Sequence, residues 1–223
     1  MYKINRFGIT FDVVCTNLNT NFWMDNFSEG WEQSTFDFII PRLDQNKVFI
    51  DIGAWIGPIS LVASHFSQKC ICFEPDGVSY QEFRDNIKLN GINNIILENK
   101  AISTHSKIKL GASQLGESIT RDSCLENSFE VNCLKPSEIF DKFMLKESEV
   151  SVIKIDIEGH EQVLLKNHSL LWDLNVPMHI SLHPGFKIDT KQYFEDITPF
   201  LLKKNIGIEN IYYSGDFFDV TCG

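Results

Sequence analysis

The chain of 223 residues lacks several signatures that would place it quickly. It has no Cys-x-x-Cys pair: its six cysteines, at positions 15, 70, 72, 124, 133 and 222, are scattered. That spacing argues against a zinc site or a disulfide framework, so the cysteines read as reduced thiols, and a cytoplasmic location is expected. Long apolar runs are missing too. The longest uncharged stretch in the middle of the chain, Ile52–Ser64, is 13 residues, short of the ~18–20 that a membrane span needs. The N-terminal run MYKINRFGITFDVV has no apolar core of the kind a signal peptide carries. Basic residues are in deficit, with 20 Lys and Arg against 30 Asp and Glu and a formal charge of −10. Nucleic acid and anionic membranes both select clustered Lys and Arg, so neither is expected as the main partner. A cationic or neutral small ligand is not opposed. Nothing in the chain speaks to its oligomeric state.

What is present includes 18 Phe, 5 Tyr and 4 Trp, a supply of apolar surface that excludes intrinsic disorder and, at this length, builds a core without staples. Two short stretches, Tyr2–Asn5 and Gly8–Val14, suit a hairpin, followed by the aromatic loop Asn21–Phe27. Helical spacing begins near Trp31, with Phe36, Ile39, Ile40 and Leu43 on one face. Strand-like and helix-like segments then alternate. Val48–Ile52 reads as a buried strand, Pro58 opens a helix, Cys70–Glu74 is a second strand, and Asp76 caps a helix that Gly91 ends. Asn94–Glu98 is a third strand, and the polar region 103–134 suits a hairpin or loops. A helix from Pro136, a strand at Val150–Asp156, a helix near 160–171, a strand at Met178–Leu182 and a helix near 190–204 follow. The last two strands, Gly207–Tyr213 and Phe217–Thr221, are turned by Ser214-Gly215-Asp216. Alternation of this kind predicts an α/β, Rossmann-like, doubly wound and mostly parallel seven-stranded sheet with an antiparallel C-terminal hairpin strand. One domain over 1–223 is expected, with a β extension at 1–30 and the core at 31–223.

Two dense constellations carry chemistry. In the first, Asp51-Ile-Gly53-Ala-Trp-Ile-Gly57 joins the first core strand to its helix. Ligands of open parallel sheets bind at the carboxyl ends of the strands. Gly53 allows a sharp turn and close approach, and Gly57 stands where free N–H groups face a ligand. This is neither Gly-x-Gly-x-x-Gly nor a phosphate loop. An acid at the strand end repels a pyrophosphate and suits an amino group. Glu74, 23 residues on at the end of the second strand, suits the two hydroxyls of a ribose. Together they describe a ligand with a ribose and a cationic amino-acid tail, as in S-adenosylmethionine. The alternative is a plain structural glycine turn with two solvated acids.

The second constellation is Lys154-Ile-Asp156-Ile-Glu158-Gly159-His160-Glu161, with His183 after the next strand. Asp156, Glu158, His160 and His183 can converge at the same sheet edge. His160 and His183 are candidate bases, since an unperturbed His titrates nearest neutral pH. Asp156 can orient a hydroxyl or deprotonate it. Lys154 reads as the partner of a nearby carboxylate, and Glu161 as a solvated acid at a helix start. Asp156, Glu158 and His183 also offer hard ligands, but their spacing matches no recognised pattern, so a divalent metal is allowed rather than expected. Phe27–Glu32 reads as a cap over the core or as a rim for a sugar, and Leu115–Ser118 as a lid or a surface loop.

In this order, Asp51-Ile-Gly-Ala-Trp-Ile-Gly, Phe73-Glu-Pro-Asp, Asn86-Ile-Lys-Leu-Asn, Ala101-Ile-Ser and Lys154-Ile-Asp-Ile-Glu-Gly-His-Glu resemble the FkbM family over roughly residues 31–183. The resemblance implies an S-adenosylmethionine-dependent O-methyltransferase acting on a sugar or natural-product hydroxyl, with a small-molecule or glycan acceptor. It implies that Asp51, Gly53 and Gly57 hold the methionine part, Glu74 the ribose, Asn99 a place near the adenine, and Asp156 a place close to the sulfonium. Trp55 stands where many members carry Asn or His, and either shields the cofactor or packs. Two other readings are weighed against this one. A nucleotide-sugar dehydrogenase or epimerase would need Gly-x-Gly-x-x-Gly and usually Tyr-x-x-x-Lys, and both are missing. A non-catalytic Rossmann-like domain of a larger carbohydrate-modifying protein would not need the set Asp51, Glu74 and Asp156.

Overall fold

The computed structural model describes residues 1–14, 21–111, 128–166, 174–183, 190–203, 208–214 and 217–222. A short hairpin, β1 (Tyr2–Arg6) and β2 (Ile9–Val13), comes first. The expected aromatic loop is instead a single π-helical turn, Phe22–Asn26, because Trp23 and the adjoining Phe27 are drawn fully into the core. Helix α1 (Gln33–Ile39) follows and tightens into a 3-10 turn at Ile40–Arg42. Strand β3 (Val48–Ile52), helix α2 (Pro58–Ala63), strand β4 (Lys69–Phe73), helix α3 (Gly77–Leu89) and strand β5 (Ile95–Glu98) make the first half of the core. A side sheet of β6 (Ala101–Ile102), β7 (Lys107–Gly111) and β8 (Ser128–Leu134) then leads through α4 (Pro136–Phe143) to β9 (Val150–Ile155). Helix α5 (Glu161–Lys166), β10 (Met178–Leu182), α6 (Thr190–Lys203), β11 (Ile208–Ser214) and β12 (Phe217–Cys222) complete the order.

The main sheet runs β11-β12-β10-β9-β3-β4-β5. The five strands from β10 to β5 are parallel, and β12 pairs antiparallel with both β10 and β11. All residues of β3, β9 and β10 are buried, as befits strands covered on both faces. The two faces carry separate cores. One gathers Ile50, Ile52, Phe73, Ile153, Ile155, Ile180 and Leu182 with the helices of the second half. The other gathers Phe49, Cys70, Cys72 and Val152 with α2 and the aromatic N-terminal segment. The chain leaves β3 toward β4 on one side and returns to β9 on the other, so the switch point lies between β3 and β9.

Local chemistry sets the ends of α3. The Asp76 carboxylate accepts from the Val78 and Ser79 amides at 2.8 and 3.0 Å, and Gly91 turns away with a φ of 60°. The Asn86-Ile-Lys-Leu-Asn90 run does structural work. Asn86 and Asn90 accept from the backbone of Val14 and Asp12 at 2.8 and 2.7 Å, and Asn86 donates to the Ile56 carbonyl at 3.2 Å. One asparagine thus ties the N-terminal hairpin to the glycine turn after β3. The run Leu115–Ser118 lies outside the described residues. Cys70, Cys72 and Cys133 are free thiols, while Cys15 and Cys124 also fall outside the described residues. No helix among the described residues is long and apolar enough to cross a membrane.

Candidate active site

Two turns meet at the switch point. The first follows β3. Gly53 there has a φ of 84°, and a Cβ on it would lie 1.7 Å from the Asp156 carbonyl oxygen, so glycine is required twice over. The Gly53 and Ala54 amides both donate to the Phe73 carbonyl at 3.0 Å, which lashes the turn to the end of β4. Trp55 sits left-handed with a φ of 50°, a conformation that costs a non-glycine residue about 1 kcal/mol or more. The Glu74 carboxylate compensates by accepting the Trp55 amide at 2.7 Å through one oxygen and the Asp76 amide at 2.7 Å through the other. Glu74 is thereby held rigid at the strand end, and burial pushes its carboxyl up to about 8 against the pull of those two amides. Trp55 is half-buried and packs on Phe22 at 4.6 Å between ring centres. At Gly57 a Cβ would meet the Phe83 ring at 2.2 Å, so this glycine serves helix packing.

The second turn follows β9. The Asp156 amide donates to the Ile52 carbonyl at 2.9 Å, continuing the ladder one step past the strand. Glu158 is left-handed with a φ of 52° and Gly159 follows at 101°. Thus both turns carry one strained non-glycine residue beside glycine, a pattern that clusters at functional sites.

Lys154 lies between the turns. It is 3% exposed. Its ammonium donates to the Gly53 carbonyl at 3.0 Å and pairs with Asp51 at 3.5 Å and Asp156 at 3.4 Å. Burial lowers its pKa, but Asp51, Asp156 and then Glu32 outweigh burial and hold it charged, above its ordinary value. Asp51 is fully buried and also accepts from Ser60 at 2.5 Å. Burial raises the Asp51 pKa, opposed first by Lys154. Asp51 therefore acts behind the turn, through Lys154 and Ser60. Asp156 stands nearer the surface, at 17% exposure. Burial pushes its pKa up, yet Lys154 and then His183 prevail and hold it below the usual carboxylate range. Its Oδ1 is buried and has no hydrogen-bond partner.

His183 ends β10 and joins this group. Its Nδ1 meets Glu161 Oε1 at 3.2 Å, and its Nε2 lies 3.8 Å from Asp156 and 3.6 Å from Glu158. Burial disfavours the charged imidazole, but the Glu161 hydrogen bond and three carboxylates raise it to about 10. At neutral pH His183 is therefore a cation, a proton donor rather than a base. Glu161, expected to be a solvated helix-start acid, is instead 0% exposed. It accepts the Ile157 and Gly159 amides at 2.9 and 3.0 Å and fixes the His183 ring. No local signal reveals this, because the partner histidine arrives 22 residues later on another strand.

Among the described residues, the His160 ring makes no hydrogen bond to Asp156, Glu158 or His183. Its Nε2 shares a hydrogen bond with Ser103 Oγ at 2.9 Å, toward the side sheet, and burial lowers its pKa. His179 lies in register with Lys154 and is wholly buried. Burial, then the neighbouring ammonium, lower it to about 4, which keeps it neutral beside a cation. Asn99 is exposed, and its amide donates to the carbonyls of Glu74 and Pro75 at 2.9 and 3.1 Å. Gly53, Trp55, Glu74, Asp156 and His183 thus stand at the carboxyl ends of neighbouring strands, with Asp51 buried behind them and Asn99 at the β5 end.

Comparison with known proteins bears on the family and the fold. The methyltransferase FkbM domain matches residues 51–205. A 68-residue stretch is 34% identical to the uncharacterized protein MJ1452 of Methanocaldococcus jannaschii, covering 30% of this chain and 26% of that one. The match therefore spans about a quarter of that relative. Among solved structures, SMU.1697c from Streptococcus mutans, in complex with SAH, aligns with a TM-score of 0.53 at 11% identity, over 85% of this chain and 94% of that one. An rRNA methylase from Streptococcus thermophilus aligns with a TM-score of 0.52 at 12% identity, over 84% and 92% of the two chains. At such identities the likeness is one of fold.

Proposed function

The chain belongs to the FkbM methyltransferase domain family, and from that premise we propose that it transfers the methyl group of S-adenosylmethionine to a hydroxyl of a sugar or of a glycan or natural-product precursor. The observation that carries the reading is Glu74, a buried carboxylate at the end of β4 with each oxygen aimed by a backbone amide. Each oxygen keeps a further lone pair for a ribose hydroxyl. The rest of the edge fits the same ligand. Gly53 lets the turns after β3 and β9 close against each other at the strand ends, and the Asp156 Oδ1 is a buried acceptor still lacking a donor.

When bound, the cofactor supplies a methyl group on a positively charged sulfur that is itself the leaving group. The protein's residues then bind and align. Glu74 holds the ribose, and Asn99 stands beside the adenine end. The turn from Gly53 to Ile56 lies against the methionine part, with Gly53 closing it on the Asp156 turn and Gly57 packing it on Phe83, while Asp51 holds it through Lys154 and Ser60. Trp55 covers the turn from water. Asp156, kept ionised by Lys154, offers a negative charge to the sulfonium and an acceptor to the incoming hydroxyl. When the methyl group is transferred, this carboxylate would receive the hydroxyl proton. Alignment of this kind is worth on the order of 7–11 kcal/mol. His183, already charged, anchors Asp156 rather than accepting the proton, and His160 positions the turn through Ser103. The net charge of −10 and the shortage of basic residues support a neutral, non-nucleic acceptor.

The test is transfer of a labelled methyl group to a panel of sugars, glycolipid precursors and RNA. Label on a sugar hydroxyl is expected. Label on RNA alone would overturn the acceptor assignment, and no transfer to any acceptor together with no cofactor binding would overturn the activity.

A further inference from the structure

The groups around His183 do more than anchor a carboxylate. Among the described residues, Asp156, Glu161 and His183 are the cluster whose ligand atoms fall within 4.8 Å of one another. Within it the tasks divide. Glu161 is committed to the turn, with both oxygens receiving backbone amides and one also facing His183 Nδ1 at 3.2 Å. A carboxylate behind one imidazole nitrogen fixes the ring and its tautomer and aims the other nitrogen, as in carboxylate–histidine–metal arrangements. The aimed nitrogen, Nε2, faces Asp156 Oδ1 at 3.8 Å and Glu158 Oε1 at 3.6 Å. These gaps exceed a hydrogen bond. They come close to the ~3.0–3.5 Å that separates ligands sharing a cation through bonds of ~2.1 Å. An independent observation points into the same gap: Asp156 Oδ1 is buried with no hydrogen-bond partner. Glu158, at 40% exposure, leaves one side open to solvent for entry and for further ligands.

We propose that Asp156 and His183 bind a divalent metal ion that displaces the proton His183 otherwise carries, with Glu158 closing the site from its exposed side and Glu161 as the positioning residue behind the histidine. One imidazole nitrogen and two carboxylates make a mixed set of intermediate softness, which suits Mn²⁺ better than Ca²⁺ or Cu⁺. Its role rests on the methyl-transfer reading, whereas the binding does not. A cation here binds the acceptor hydroxyl and lowers its pKa. Asp156 is then a ligand, and the hydroxyl proton goes to water on the open Glu158 side instead of to Asp156. The oxygen–carbon bond forms and the sulfur–carbon bond breaks.

The experiment titrates metal-stripped full-length protein with Mn²⁺ alone, followed by the electron paramagnetic resonance of free Mn²⁺. Loss of one equivalent of signal per chain is expected, with a nitrogen coupling that changes on ¹⁵N-histidine labelling. Glu161→Gln should weaken binding about 10- to 100-fold, and His183→Gln at least as much with loss of the nitrogen coupling. No bound Mn²⁺ at millimolar concentration, or bound Mn²⁺ without nitrogen coupling in the wild-type protein, overturns the site whether or not the variants fold. Calorimetric titration with S-adenosylmethionine, run separately, distinguishes the two readings. Cofactor binding without Mn²⁺ binding removes the metal site alone, and Mn²⁺ binding without cofactor binding removes the methyl-transfer reading and leaves the site.

Discussion

The two turns at the sheet edge hold their acids by different means. The turn after β3 is held by Glu74 at the end of β4, an acid satisfied by neutral backbone amides. After β9, Asp156 and its neighbours are balanced by cations, Lys154 and His183. The first turn is a matter of shape, the second of charge. Shape fails through a single methyl group in the wrong place. Charge fails through loss of a counter-ion, and the failure depends on pH.

Four substitutions probe this contrast. Gly53→Ala places a methyl 1.7 Å from the Asp156 carbonyl oxygen at a φ of 84°. A loss of about 4 kcal/mol or more is expected, measured by denaturant unfolding. A variant of wild-type stability would show that the turn is not shape-limited. Lys154→Met strips the shared counter-ion from two carboxylates and should cost about 3–5 kcal/mol. That loss should be largest near neutral pH and shrink as the pH falls, because the orphaned Asp51 and Asp156 then take up protons. A pH-independent loss would contradict the charge account.

Glu74→Gln leaves one of the two amides that Glu74 accepts without an acceptor, so it should cost about 1–3 kcal/mol of stability and weaken cofactor binding by about 1.5–3 kcal/mol, the worth of hydrogen bonds to a charged group. In the wild-type protein the ionised form is the better acceptor for two hydroxyls. With the carboxyl raised to about 8, affinity should rise as the pH climbs toward that value and level above it. Glu74→Gln should abolish the rise. His160→Ala should have the smallest effect, about 1 kcal/mol of stability through Ser103, with turnover close to wild type. A collapse of turnover at normal cofactor affinity would return His160 to the chemistry.

The sequence shows the shape half of the site more plainly than the charge half. The Asp76 cap is made by neighbours near in the chain, and Gly53 and Glu74 stand at strand ends that the buried-strand pattern marks, although the groups they meet are distant. The alternation of buried strands likewise announces the sheet. Charge pairing is tertiary. Lys154 meets the Gly53 carbonyl across 101 residues, and His183 meets Glu161 across 22. Glu161 therefore looked like an ordinary helix-start acid, and His160 looked equivalent to His183 until the fold turned it toward Ser103. The aromatic run Asn21–Phe27 has the look of a loop because its helical turn is made by burial of Trp23 and Phe27, not by local propensity.

The central claim is that the edge between β3, β4 and β9 binds S-adenosylmethionine through Glu74. Calorimetric titration of the wild-type protein and of Glu74→Gln tests it directly. The account predicts one site per chain and, at pH 7, proton release on binding, seen as a heat that varies with the buffer's ionisation enthalpy. It predicts at least tenfold weaker binding without proton release in Glu74→Gln. No binding by the wild-type protein, or equal binding by both, would contradict it.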